Sequence, residues 1–561
     1  MTEERGKFRQ RVGRFALNLT LGIMCMGLTL PAWSASTASA PSCSVAVLSG
    51  FDVNGVTIAS ATLEPAAAAN PEYCRVQGTL ITHGGGVGRG LAEFALKLPA
   101  KWNSRLVFFG CGGNCGSHDN IAANPNDVAA ALPLGYAVVN TDAGHEQDPT
   151  TPDPTWILLA PGEPDEPAII DFDYRSVHDV TVATKALVQG YYSGTIEHAY
   201  FDGCSTGGRQ SLMEGEGYPE DFDGLIAGDP VMALDMQRAS NIKEAKAFLP
   251  PAAYMPYSLI PAIDAAVLAN CDGLDGTVDG LIQNPAQCSF DPTTLVPSVL
   301  SAAQAEGLKK YLEKLVDPQG TLVAPGMIVG DYATSGFEGQ AEVSNPAADP
   351  TAAQPWGGIG KGPAAWILGD AGVRYYVEYD PTYDVNADWP QEGNVISRPA
   401  LQLLRRREGA GDSDDPGKLH DYLRHGGKLI MYHGFSDAQV SPYRSLWFYR
   451  ALAEQERGYA ALQSQARLFM VPGMGHCTAG SGPNSFATLV ALDSWVSDNV
   501  APDALVAVNT AGRSMPLCKF PEEAKYVGGP VDSASSWVCP EDDRRLLQIG
   551  PDGALAGAAG R

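Results

Sequence analysis

Three short stretches of this sequence carry the residue types of nucleophilic acyl transfer. The first, Gly203-Cys204-Ser205-Thr206-Gly207, fits Gly-x-Ser-x-Gly. Small neighbours allow a serine to sit on a sharp, strained turn with its hydroxyl exposed. The same turn aims the next backbone N–H, that of Thr206, at the oxyanion formed when Ser205 attacks a carbonyl. A serine needs a base, and the base needs a carboxylate to orient it. Asp437, in His433-Gly434-Phe435-Ser436-Asp437, and His476, in Pro472-Gly473-Met474-Gly475-His476, supply the pair. His433 is the nearest rival base, but it precedes the acid in the chain. The expected triad is Ser205–Asp437–His476.

Such residues act together only if strands hold them. Apolar runs at 106–109, 136–140, 198–202, 225–227, 428–432 and 467–471 read as strands. Helical patterns cover about 176–191 and 209–217. Ser205 falls between a strand and a helix, and Asp437 and His476 each follow a late strand. Strands alternating with helices predict an α/β fold, with a mostly parallel sheet and helices on both faces. The order Ser, acid, His is that of the α/β-hydrolase fold. Between residues 231 and 415 the alternation lapses into a Pro-, Gly-, Ala- and aromatic-rich stretch, read as an inserted lid domain. Residues 41–230 and 416–561 are then the two parts of the hydrolase domain.

The N-terminal segment and the cysteines lead to the expectation of a protein outside the cytoplasm. Lys7, Arg9, Arg11 and Arg14 precede an apolar run from Phe15 to Leu30, and Ala38-Ser39-Ala40 offers a cleavage site. Residues 1–40 read as a signal peptide rather than a membrane anchor, so the mature chain is expected to be secreted or periplasmic. No other stretch reads as a membrane span. Of eleven cysteines, Cys25 lies in the leader and an even ten remain, which favours disulfides. Cys204 precedes Ser205 and Cys477 follows His476, so a hydrogen-bonded Ser–His pair makes Cys204–Cys477 geometrically plausible. Local spacing favours Cys271–Cys288 and Cys518–Cys539, and Cys111 and Cys115 are close enough to bridge. A net charge of −26 argues against nucleic-acid or peripheral membrane binding and suits a neutral or weakly charged small substrate.

Taken together, the motifs resemble the tannase and feruloyl esterase family, which also includes enzymes acting on mono(2-hydroxyethyl) terephthalate. The shared residues are Gly203-Cys204-Ser205-Thr206-Gly207-Gly208-Arg209, His433-Gly434-x-Ser436-Asp437 and Val471-Pro472-Gly473-Met474-x-His476-Cys477. The resemblance implies the Cys204–Cys477 bridge and adds Cys43–Cys74 and Cys518–Cys539. It puts the oxyanion hole at the N–H groups of Gly113 and Thr206, with Gly112 as the alternative register. It also bears on Asp272-Gly273-Leu274-Asp275-Gly276-Thr277-Val278-Asp279-Gly280-Leu281, whose hard oxygen donors on a turning loop suit Ca²⁺. The family's calcium site falls at this motif, implying Asp272, Asp275 and Asp279 side chains and Thr277 and Leu281 carbonyls as ligands of a structural ion.

The implied activity is hydrolysis of esters of a phenolic or aromatic acid, gallate, ferulate or a related hydroxycinnamate, through an acyl-enzyme on Ser205. A terephthalate monoester hydrolase and a serine peptidase on the same fold are the alternatives. The terephthalate reading needs a lid arginine, for which Arg374 is the candidate. Trp356, Trp366, Tyr375, Tyr376 and Tyr379 could stack on a substrate ring, but most are expected to be lid core.

Overall fold

The computed structural model describes residues 42–147, 154–341, 348–358, 360–541 and 543–555. The expected signal peptide lies outside them. Among the described residues, nine strands form the main sheet: β1 (Val56–Glu64), β2 (Tyr73–Thr82), β3 (Gly90–Pro99), β4 (Arg105–Phe109), β5 (Ala137–Thr141), β6 (His198–Cys204), β7 (Gly224–Gly228), β8 (Lys428–Gly434) and β9 (Ala466–Val471). Their order is β1-β2-β3-β5-β4-β6-β7-β8-β9. The first three pair antiparallel with one another, and β3 pairs antiparallel with β5. From β5 to β9 all pairs are parallel. This is the expected α/β-hydrolase sheet, extended by an antiparallel edge.

The parallel strands are mostly apolar and buried because both faces are covered. In β4, Leu106 and Phe108 join one core cluster while Val107 and Phe109 join the other. β8 divides in the same way, with Leu429 and Met431 on one side and Ile430 and Tyr432 on the other. Helix α1 (Ser176–Tyr192) covers the first face with Val177, Val180, Leu187 and Val188. A C-terminal helix, Thr488–Asp498, covers the second with Leu489, Leu492 and Trp495. Between β6 and β7 runs helix α2 (Thr206–Gly217), buried along nearly its whole length.

The long connection from β7 to β8 contains the stretch read as a lid. It is more regular than its composition suggests, and it belongs to the same compact unit as the sheet. Helix α3 (Leu234–Phe248) opens it, followed by α4 (Ile260–Cys271), α5 (Ala364–Ala371), α6 (Arg398–Glu408) and a small four-stranded sheet. Its apolar side chains form two further clusters. One sequence expectation needs correcting here. The segment Pro251–Asp275, with a mean hydropathy of 1.3, is long and apolar enough to cross a membrane by length and composition. In the fold it is broken by Pro256 into short turns ahead of α4. That helix turns Ile260, Ile263, Val267 and Cys271 into the core.

Candidate active site

Each expected catalytic side chain sits where an element ends. Ser205 forms the turn between β6 and α2 at φ 62° and ψ −123°, a conformation costing about 1–3 kcal/mol for a non-glycine residue. The residues two positions away on either side must lack side chains. A Cβ on Gly203 would lie 2.3 Å from the Gly207 carbonyl oxygen, and one on Gly207 would lie 2.8 Å from that of Ala122. The Ser205 backbone is held by its N–H donating to Gly228 and its carbonyl accepting from Val231, at 3.0 and 3.1 Å.

The three ends converge. His476 Nε2 is 2.8 Å from Ser205 Oγ, and His476 Nδ1 is 2.7 Å from Asp437 Oδ2. With Nδ1–H donating to the carboxylate, Nε2 is left to accept the serine proton. Asp437 is fully buried. Its other oxygen accepts from the N–H groups of Gln439 and Val440 at 2.8 and 2.9 Å. Burial works against its charge, but His476 and His433 outweigh that and hold the carboxyl below its usual range. Burial pulls His476 down, while the Asp437 charge and hydrogen bond more than compensate and raise it. The base must be neutral to act, so turnover should fall as pH drops through this raised pKa. A kcat–pH profile checks it: the acid limb should lie above the ordinary histidine range and move down in Asp437→Asn.

The two residues expected to supply the oxyanion donors also meet here. Thr206 is the first residue of α2, where backbone N–H groups have no partner within the helix. Its hydroxyl donates to the Gly113 carbonyl at 2.7 Å, tying the two residues together. Gly113, at φ +58°, lines the cavity beside Ser205, and Gly112 does not. The Gly113 loop is fixed by the Cys111–Cys115 disulfide, by Gln210 accepting from the Cys111 N–H, and by Asn120 donating to the Gly112 carbonyl.

All five expected disulfides are present: Cys43–Cys74, Cys111–Cys115, Cys204–Cys477, Cys271–Cys288 and Cys518–Cys539. They fit an oxidising compartment. In Cys204–Cys477 the Cα atoms are 5.9 Å apart, and the bridge joins the neighbours of nucleophile and base.

Of two further residues beside the triad, sequence reasoning missed Asp229 and weighed His433 only as a rival base. Asp229, at the end of β7, accepts from the Gly434 N–H at 2.7 Å and the Cys477 N–H at 2.9 Å. It therefore clamps the acid loop to the base loop. His433, set aside as a base, is fully buried behind Asp437, with Nε2 3.3 Å from its carboxylate and 3.6 Å from that of Asp229. The signal for Asp229 was its place directly after a strand, the same signal that marked Asp437 and His476.

The cavity over Ser205 is roofed by the β7–β8 connection. Phe172, Val231, Leu234, Leu368 and Val440 give it apolar walls, and Gln237, Arg238, Asn241, Gln340 and Gln439 add polar groups. Phe172 stands on a π-helical turn, Asp171–Arg175, a geometry that recurs at functional sites. Trp356, Trp366, Tyr375, Tyr376 and Tyr379 are absent from the lining. The first four are buried, and Arg407 lies 4.2 Å from the Tyr379 ring. Arg374 is absent too, spent on Asp370 at 2.8 Å and on the Pro381 carbonyl.

The acidic loop after α4 is closed on itself. Asp272 accepts from the N–H groups of Asp279 and Gly280, Asp275 from the N–H and hydroxyl of Thr277, and Asp279 from the N–H of Leu281. These are calcium donors in type. As placed, they do not converge: one oxygen from each aspartate cannot be chosen so that all lie within 4.8 Å of one another. Asp279 is paired with Arg513. An ion at Asp279 would compete with Arg513 for its carboxylate.

The sheet order and the geometry at its strand ends define an α/β-hydrolase. A model of the family described as tannase and feruloyl esterase matches residues 74–540, and the chain belongs to that family. It is a carboxylic ester hydrolase, which displaces the peptidase alternative. Curated relatives include a mono(2-hydroxyethyl) terephthalate hydrolase of Piscinibacter sakaiensis, 28% identical over 84% of this chain and 85% of the relative. Feruloyl esterase B of Aspergillus niger is 26% identical over 88% and 91%. Among solved structures, feruloyl esterase B from Aspergillus oryzae superposes with a TM-score of 0.73 at 23% identity, covering 88% of this chain and all of the other. Tannin acyl hydrolase from Aspergillus niger gives 0.68 at 21%, covering 90% and 96%. These two likenesses bear on the fold.

Proposed function

We propose that this protein is an exported serine esterase that cleaves esters of phenolic acids. The observation that carries the mechanism is the Ser205–His476–Asp437 chain of contacts at 2.8 and 2.7 Å. His476 takes the Ser205 proton as Oγ attacks the ester carbonyl. The N–H groups of Gly113 and Thr206 hold the oxyanion, an interaction worth several kcal/mol per well-placed donor. The proton then passes from His476 to the leaving alcohol, and water repeats the cycle on the acyl-enzyme. Asp437 fixes the tautomer and stabilises the imidazolium.

The acyl group is a phenolic acid rather than a terephthalate. The cation lining the described cavity, Arg238, is neutralised by Glu408 at 2.9 Å, and Arg374 lies elsewhere. Neither offers an uncompensated charge to a carboxylate. A panel of methyl ferulate, methyl gallate, mono(2-hydroxyethyl) terephthalate and a peptide amide tests this. Turnover of a phenolic ester at least tenfold above the terephthalate ester is expected, and preference for the terephthalate ester would reverse the assignment.

The Asp272–Leu281 loop is proposed to hold a structural calcium ion through Asp272, Asp275, Asp279 and the Thr277 and Leu281 carbonyls. Bound at a hundredfold excess over its Kd, an ion adds about 2.7 kcal/mol of stability. The melting temperature should therefore rise from chelator to millimolar Ca²⁺, and Asp272→Ala should abolish the response. An unchanged melting temperature in the unmodified protein would sink the site.

A further inference from the structure

Helix α3 begins beside the nucleophile, because Val231 donates its N–H to the Ser205 carbonyl three residues before Leu234. Leu234, Gln237, Arg238 and Asn241 then line the cavity at helical spacing, as one stripe running away from Ser205. From Leu234 to Asn241 the helix advances roughly 10 Å. The far end of this stripe is where the distal end of an acyl group would lie.

Two side chains there are incompletely bonded. Asn241 is 1% exposed, its oxygen accepts from Gln237 Nε2 at 2.9 Å, and its Nδ2 has no partner. Gln340 is 2% exposed, its Nε2 donates to Glu244 at 3.2 Å, and its Oε1 has no partner. In each amide one end is pinned by a neighbour, which leaves the opposite end available. The result is one free donor and one free acceptor, each on a side chain that lines the cavity over Ser205. A buried polar atom without a partner costs about 1–3 kcal/mol, so a complement from outside the fold is favoured. A hydroxyl is that complement, since it can donate to Gln340 Oε1 and accept from Asn241 Nδ2. The surroundings select a neutral group. Arg238 is paired with Glu408, and burial raises Glu244, beside Gln340, to about 7.

We infer that Asn241 and Gln340 form a hydroxyl-reading subsite for the distal ring of a 4-hydroxycinnamoyl group. This rests on the esterase reading above. The two-carbon spacer of that acyl group carries the ring hydroxyl further along α3 than a benzoyl acid does. Phe172, Leu234 and Leu368 supply apolar contact on the way.

The test compares kcat/KM for methyl 4-hydroxycinnamate, methyl cinnamate and methyl 4-hydroxybenzoate in the full-length enzyme, in Asn241→Leu and in Gln340→Met. A preference for the hydroxylated over the plain cinnamate of about 10- to 100-fold is expected in the unmodified enzyme, with the benzoate poorer than the hydroxycinnamate. Each variant should bring the preference to within about threefold. The ratio is taken within one protein sample, so partial misfolding does not alter it. Calorimetric binding of free 4-hydroxycinnamate against cinnamate to Ser205→Ala gives a second readout and should show the same preference. Equal turnover of the two cinnamates in the unmodified enzyme, or an unchanged ratio in both variants, would overturn the subsite and leave the esterase reading standing. No turnover of any of the three esters would overturn both.

Discussion

Ser205→Ala lowers kcat on phenolic esters by roughly 10⁴- to 10⁶-fold, while circular dichroism and melting temperature stay close to those of the unmodified protein. The substitution removes one oxygen atom and keeps the Cβ, so the turn at φ 62° is as constrained as before. What disappears is the atom 2.8 Å from His476 Nε2. Asp437→Asn should follow with a loss of about 10⁴-fold. An asparagine can present its NH₂ group to His476 Nδ1, which would flip the tautomer and take the free lone pair from Nε2. The double variant should be scarcely worse than Ser205→Ala alone, because residues acting as a unit are not additive. Near-normal turnover in Ser205→Ala would remove this serine as nucleophile, whatever the geometry around it.

What was legible in the sequence is what local chemistry enforces. Gly203 and Gly207 are glycines because a Cβ on either would collide with backbone, and that necessity surfaces as a motif. Asp437 and His476 were legible because strand ends are visible as apolar runs that stop. The antiparallel strands β1 to β3 were passed over, although β2 alternates as a half-buried strand must, with Cys74, Val76 and Leu80 inside and Arg75 and Ile81 outside. Helix α3 was obscured for a different reason. Arg238, Asn241, Lys243 and Glu244 are all buried within it, so its inner face does not read as apolar. Lys243 is accommodated by donating to the Tyr311 and Glu313 carbonyls at 3.1 and 2.7 Å, contacts across some seventy residues that no local window contains. Asp229 and His433 belong to the same class. Their partners sit on other strand ends, and only the sheet order brings those ends side by side.

The Cys204–Cys477 bridge carries the second large effect. It spans 273 residues, against 17 for Cys271–Cys288. In the chain-entropy account the longer closure is worth about 5–6 kcal/mol and the shorter about 3 kcal/mol, so removing the first should lower the melting temperature more. Stability is only half of the argument. The bridge flanks both Ser205 and His476, and Cys477 is held again by its N–H donating to Asp229. With the bridge gone, that hydrogen bond, the Asp437 contact and backbone bonds of the base loop, such as Ser436 N–H to the Met474 carbonyl, are left to position the imidazole. A misplacement near 1 Å costs on the order of 10²-fold in rate. The variant Cys204→Ala/Cys477→Ala should therefore lose both stability and kcat, measured well below its own melting temperature so that only folded enzyme is assayed. Cys271→Ala/Cys288→Ala should lose stability while keeping kcat within a few-fold. If the first variant melts lower yet turns over normally, the bridge is a brace for the fold alone, and Asp229 with Asp437 suffices to aim the base. If neither quantity changes, the bridge does not constrain this site at all.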